Sequence, residues 1–306
     1  MTGMLRSYTR EEAERTILKR VPLDEFDVTP GVLQSIEQLF GEALRPEQAV
    51  RRVIADIRER GDAAVKYWMK VIDRVDLQVL EVPDAEFERA LEITSPEVIA
   101  AMRLAAERIE AFHRGQPLTS WFHPTPEGVL GQIVRPIRRV GVYVPGGTAP
   151  LPSSLLMSVI PAKVAGVQEI VVATPPGKDG KVAPVTLAAA RIAGIETVYQ
   201  LGGAQAIATL AYGTESVRPV DKIVGPGNLF VTLAKRQVYG AVGIDGLLGP
   251  TETMVIADED ADPAFVAADM LAQAEHDMLA SAILVTTSAK LAEAVSMEVA
   301  RQIEAL

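Results

Sequence analysis

Three glycine-rich turns and one histidine-bearing helix carry the chemistry that this sequence offers. The turns are Pro145-Gly146-Gly147-Thr148, Leu201-Gly202-Gly203-Ala204-Gln205 and Gly225-Pro226-Gly227-Asn228, each directly after a short β-branched run. Glycine there permits close backbone approach, and the second and third turns lead into helical patterns whose free N–H groups can receive a phosphate. Three such turns in one chain suggest a phosphorylated ligand, against the plainer reading in which each glycine serves turn geometry alone. The dinucleotide fingerprint G-x-G-x-x-G/A is absent, because Gly225-Pro226-Gly227-Asn228-Leu229-Phe230 ends in Phe. A nucleotide would be held in another way.

The histidine-bearing segment is Gln273-Ala274-Glu275-His276-Asp277. Gln273 and His276 stand three apart, so on a helix they emerge on one face, one turn apart. Two ligands at that spacing can share a metal. Glutamine is a poor zinc ligand, however, and a histidine near the negative end of a helix is an ordinary arrangement, so both readings stay open. The other two histidines, His113 in a polar helix end and His123 in a Pro-rich stretch, read as surface residues.

These groups need a scaffold. From about residue 9 to residue 116 apolar residues recur three and four apart, as with Val50, Val53, Ile54 and Ile57, which predicts a helical first third. Thr29-Pro30 and Ser95-Pro96 read as helix starts and Gly61 as a helix stop. Trp68 and Trp121 read as core. After residue 129 short strands alternate with helices: strands are expected at 139–144, 169–173, 197–200, 222–224, 254–257 and 282–286. Helices are expected at 153–165, 182–193, 203–211, 228–239, 263–276 and from 289 onward. Such alternation predicts a parallel sheet covered on both faces, with ligands at the carboxyl ends of its strands.

The 306 residues are 48% hydrophobic and 23% charged, enough for two domain-sized cores. A formal net charge of -10 is the wrong sign for a phosphate-backbone binder, so no nucleic-acid partner is expected. No cysteine is present, which removes thiolate nucleophiles, disulfides and Cys-ligated metals together. The sequence begins without an apolar leader and holds no run of eighteen apolar residues, so the expectation is a cytoplasmic protein with no membrane span.

The turns and the helix resemble, in order, the signature segments of the histidinol dehydrogenase family. The likeness runs through 139–147 (RVGVYVPGG), 161–167 (PAKVAGV), 202–208 (GGAQAIA), 224–228 (VGPGN), 249–252 (GPTE) and 273–277 (QAEHD). The stretch RVIADIRERGDAAVKYW extends it into the helical first third. The resemblance implies two Rossmann-like αβ domains with parallel sheets, of a kind shared with aldehyde dehydrogenases, after an N-terminal helical segment. The expected division is a helical arm at 1–30, a discontinuous αβ domain of 31–140 plus 251–306, and an NAD-binding domain at 141–250.

The resemblance further implies a zinc-dependent, NAD-linked homodimer that oxidises L-histidinol through L-histidinal to L-histidine. Tyr143, Gln205 and Asn228 fall on its NAD-contacting positions. Thr251 falls on a substrate-contacting position that is usually Ser. Gln273 and His276 fall on two zinc ligands that also lie against the substrate. The family's glutamate–histidine acid–base pair and its remaining zinc ligands belong to a stretch past the equivalent of Leu306, so no catalytic residue is assigned within the sequence. The expectation is a shortened form of the enzyme with weak zinc binding. Two alternatives stand beside it: a related NAD-dependent dehydrogenase of another small alcohol, and a non-catalytic nucleotide-binding or assembly module.

Overall fold

A computed structural model of the chain describes residues 5–19, 28–146, 150–247, 252–275 and 280–304. Helices α1 (Arg10–Arg15), α2 (Pro30–Phe40), α3 (Pro46–Arg60), α4 (Asp62–Trp68), α5 (Asp84–Ile93) and α6 (Pro96–Arg114) precede the strands β1 (Trp121–Thr125) and β2 (Gly128–Gln132). A π-helical turn, Met69–Asp73, extends α4. There follow β3 (Arg139–Tyr143), α7 (Pro152–Val164), β4 (Glu169–Ala173), α8 (Pro184–Ile192), β5 (Val198–Tyr199), α9 (Gly203–Tyr212), β6 (Lys222–Val224), α10 (Leu229–Val238) and β7 (Gly243–Ile244). The last elements are β8 (Glu252–Ile256), α11 (Pro263–Ala274), β9 (Ser281–Val285) and α12 (Ala289–Ile303). The expected strands and helices of this half are all present, with bounds shifted by at most two residues.

The chain divides into two compact units, one of residues 28–247 and the other of residues 1–27 with 248–306. In the first, a parallel sheet runs in the order β5-β4-β3-β6-β7. Both faces are buried, which explains why β3 reads as a continuous buried strand. Along β3, Val140 and Val142 point into one core with residues of α5, α7 and α8, while Tyr143 points into the other with residues of α3, α9 and α10. Gly141 permits the second packing, because a Cβ there would lie 3.1 Å from Leu210 Cδ1 of α9.

The grouping of the first helices differs from the expected one. The apolar stripe of α3 (Val50, Val53, Ile54 and Ile57) is buried in the same core as α9 and α10, so residues 31–140 belong to the unit of the five-stranded sheet rather than to that of residues 252–304. Sequence periodicity shows that α3 has a face to bury and not what it buries it against. The Pro-rich stretch also differs: Trp121–Thr125 pairs antiparallel with Gly128–Gln132. His123 therefore lies on a strand, exposed, and Trp121 is 55% exposed rather than core. His113 is half-buried, with its Nδ1 2.7 Å from Gln116 Oε1.

The second unit is smaller. Its β8 and β9 pair in parallel, and α11 and α12 close a core of Val266, Ala267, Met270, Leu291, Val295 and Val299. Ser288 caps α12 by accepting from Leu291 N at 3.2 Å, and Asp262 caps α11 by accepting from Ala264 N at 2.8 Å. Among the described residues no helix is long and apolar enough to cross a membrane.

Candidate functional site at the strand carboxyl ends

The strand order places β4 on one side of β3 and β6 on the other, so the crossover after β3 (to β4) and the crossover after β6 (to β7) run in opposite directions. A crevice opens at the carboxyl ends of strands where that reversal occurs, and ligands of open α/β sheets bind there. The segments after β3 and after β6 border it. Three of the sequence-predicted site residues lie at these ends: Tyr143 closes β3, Asn228 precedes α10, and Gln205 sits in the first turn of α9. Gly147 and Thr148 of the first glycine turn lie outside the described residues.

The turn after β6 is held from both ends. Gly225 has φ +116°, and a Cβ there would lie 2.0 Å from the Tyr143 carbonyl oxygen, so the β6 turn runs directly against the end of β3. Its N–H donates to Asp245 Oδ2 at 2.8 Å, and its carbonyl accepts from Lys235 Nζ at 3.0 Å. Lys235 and Asp245 are themselves ion-paired, and Lys235 is 2% exposed. Asn228 then caps α10, its Oδ1 accepting from Val231 N at 3.1 Å, so the helix N-terminus opens on the crevice.

The N-terminus of α9 carries the second polar group. Tyr143 is 3% exposed, and its hydroxyl accepts from Gly203 N at 3.1 Å. Burial, together with the nearby Asp73, pushes the phenol up to about 12, against the opposing effect of the Gly203 hydrogen bond. Tyr143 is therefore neutral near pH 7 and can hold a ligand or a backbone group but not act as a base there. Gln205 is fully buried, and its Nε2 donates to Asp73 Oδ2 at 2.7 Å. Its Oε1 has no hydrogen-bond partner among the described residues.

Asp73 and the Lys235–Asp245 pair are the site residues that sequence reasoning missed. Asp73 ends the π-helical turn, in a segment whose pattern carries only a core signal. Lys235 did leave a trace, since Val231, Ala234, Lys235 and Val238 follow helical core spacing, and a lysine in that stripe must find a buried partner. A cavity of about 360 Å³ lies beside the crevice, lined among others by Gly146, Thr174, Pro175 and Lys181. Pro175 joins it to the α9 turn, because a Cβ on Gly202 would lie 2.7 Å from Pro175 Cβ.

Burial raises the Asp73 carboxyl above its usual range, opposed by the Gln205 hydrogen bond. A raised native pKa means that the folded state binds the proton more tightly than the unfolded chain. Asp73 thus contributes stability below its ordinary pKa that is lost as pH rises through the raised one. Asp73→Asn should therefore be more stable than the parent at neutral pH, with the gain closing as pH falls toward 4. Melting temperatures of both proteins between pH 4 and 8 check this; a pH-independent difference would contradict it.

In the second unit, Gln273 is buried at the end of α11 and its Oε1 accepts from Thr253 Oγ1 at 2.9 Å. Thr251 and His276 lie outside the described residues, so their relation to Gln273 is not part of the described geometry. No group of three or more His, Asp or Glu side chains that could hold a metal occurs among the described residues. They do not by themselves make a zinc site. For a dinucleotide the fit is better: two helix N-termini, a turn too tight for any Cβ, and a buried acceptor without a partner among the described residues face one region of the sheet.

The fold and this crevice define an α/β protein built on an open parallel sheet with a topological switch point at β3 and β6. The histidinol dehydrogenase family profile matches residues 41–306, and the chain belongs to that family. It is 56% identical to histidinol dehydrogenase of Deinococcus radiodurans over 282 residues, which cover 92% of this chain and 64% of that protein. It is 54% identical to that of Moorella thermoacetica over 260 residues, 84% of this chain and 61% of the other. The crystal structure of histidinol dehydrogenase from Elizabethkingia anophelis superposes with a TM-score of 0.81 at 38% identity, covering 90% of this chain and 65% of that one. The chain thus spans less than two thirds of the length of these relatives.

Proposed function

We propose that this chain takes part in the oxidation of L-histidinol to L-histidine through L-histidinal, with NAD as the oxidant. The observation that carries the reading is the polar cluster at the switch point of the sheet in a member of this family: Tyr143, Gln205 and Asn228 lie at the crevice ends that the glycine turns leave open. NAD held in this crevice would supply the hydride acceptor, one molecule for each of the two oxidations. The α10 N-terminus behind Asn228 would supply N–H groups and a positive dipole end for a diphosphate, while the Gly203 N–H at the start of α9 is held by the Tyr143 hydroxyl. Tyr143, neutral at neutral pH, fixes the first turn of α9 and takes no proton from the alcohol. Hydride transfer gains from a fixed geometry, and a crevice braced by Lys235 and Asp245 provides that on the cofactor side.

Substrate contact at Thr251, and zinc held by Gln273 and His276 against the substrate, enter this reading on the family likeness, as does a homodimer. The first test is calorimetric titration of NAD into the chain, with NADH formation followed on L-histidinol and on a panel of other small alcohols. NAD binding with turnover of L-histidinol supports the reading. Turnover only of other alcohols would replace the substrate, and no binding of NAD at all would overturn the cofactor assignment.

A further inference from the structure

Among the described residues, Asp73 is the one carboxylate hydrogen-bonded to a predicted cofactor contact, yet it comes from the π-helical turn of the first helical segment, far from the glycine turns in sequence. An ionised carboxylate can only accept, so it takes Gln205 Nε2 and not Oε1. This fixes which end of the carboxamide faces away from Asp73. The end so presented, Oε1, is buried and without a partner among the described residues, a rare and costly condition for a polar atom. It lies beneath Gly203, where a Cβ would sit 2.9 Å from it; Gly203 itself is half-buried, and its N–H is already taken by Tyr143. An acceptor is therefore held ready where the backbone carries no side chain to cover it.

We propose that Asp73 is a positioning residue: by holding the Gln205 carboxamide in one orientation it presents Oε1 as an acceptor at the α9 N-terminus, and so selects a ligand that brings a hydroxyl or amino N–H donor there. A reversed carboxamide would present N–H groups instead and would set donor against donor. The inference rests on the reading of this crevice as an NAD site, and it adds the direction of one hydrogen bond and the residue that sets it. Aromatic or aliphatic surfaces of the ligand play no part in this selection. Neither does the anionic diphosphate, which a carboxylate such as Asp73 would repel.

The test compares NAD with analogues in which one ribose hydroxyl or the adenine amino group is removed at a time, titrated into the parent, Gln205→Met, Asp73→Asn and the double variant Asp73→Asn/Gln205→Glu. In the parent, one analogue should bind about tenfold more weakly than NAD, the loss typical of an unmatched buried acceptor. Gln205→Met should abolish that discrimination. Asp73→Asn, which tolerates both carboxamide orientations, should shrink it to a few-fold. The double variant restores the arrangement with the partners exchanged, since the new amide at position 73 would donate and the new carboxylate at position 205 would present the acceptor, and should recover the discrimination.

Full discrimination in Asp73→Asn, or none recovered in the double variant, would overturn the proposal, as would an Oε1 satisfied by a bound water with every analogue binding like NAD. The side-chain amide of Gln205 gives a second reading that needs no ligand. Its nitrogen-bound protons, followed by NMR, should show one exchange-protected proton in the parent that loses protection in Asp73→Asn. Protection in the parent without any binding of NAD would remove the cofactor reading and keep the positioning. NAD binding with an unprotected amide would do the reverse.

Discussion

Gly225→Ala is expected to be the most damaging single-methyl change in the crevice, costing about 4 kcal/mol or more of the roughly 5 to 15 kcal/mol that holds a domain folded. Two causes act together. The φ of +116° is outside the range an L side chain adopts easily, which alone costs about 1 to 3 kcal/mol. The new Cβ would also stand 2.0 Å from the Tyr143 carbonyl oxygen, which is backbone at the end of a strand paired on both sides and cannot swing aside as a side chain would. Gly240→Ala separates the causes, because Gly240 has φ +103° but nothing within 4 Å of its Cβ position. Urea unfolding of both variants should show the Gly225 change costing at least twice the Gly240 change. Equal losses would mean that strain alone matters and that the turn does not press on β3. A surviving Gly225→Ala protein should also lose NAD affinity, since the displaced turn carries the start of α10.

The same turn shows what the sequence can and cannot reveal. Glycines after β-branched runs are a local signal, and the strands at 169–173 and 222–224 are legible to the residue because β-branched residues bounded by turn formers leave few alternatives. Asn228 is proposed as a site position only through resemblance; its visible work is to cap α10. The partners of the turn are harder to see. Asp245 follows a two-residue edge strand too short to give a pattern, and Asp73 reaches Gln205 across 132 residues of sequence. Periodicity reports which face of an element is buried and carries no information about which other element buries it. That is also why α3 is expected in one unit and lies in another. The hairpin at 121–132, with Leu130 72% exposed, has no buried alternation by which a strand could be read.

Lys235→Met is expected to cost about 2 to 3 kcal/mol of stability and to weaken NAD binding at the same time. Methionine keeps the apolar stem and removes the ammonium, which donates to the Gly225 carbonyl at 3.0 Å and pairs with Asp245. Breaking a fully buried pair costs about 3 to 5 kcal/mol, and the cost is lower here because the Asp245 side chain is 25% exposed and water can reach it. Asp245 would keep the Gly225 and Gly246 N–H groups, each at 2.8 Å, as its remaining partners. A second change distinguishes charge from lost hydrogen bond. In the Lys235→Met background, Asp245→Asn removes the uncompensated charge while its Oδ1 can still accept from Gly225 N, so it should return about 1 kcal/mol. No recovery would place the whole cost on the unpaired Gly225 carbonyl. If neither variant changes NAD affinity while both lower stability, the pair supports the sheet edge and not the crevice, and the turn would have to owe its position to the close approach of Gly225 to β3 alone.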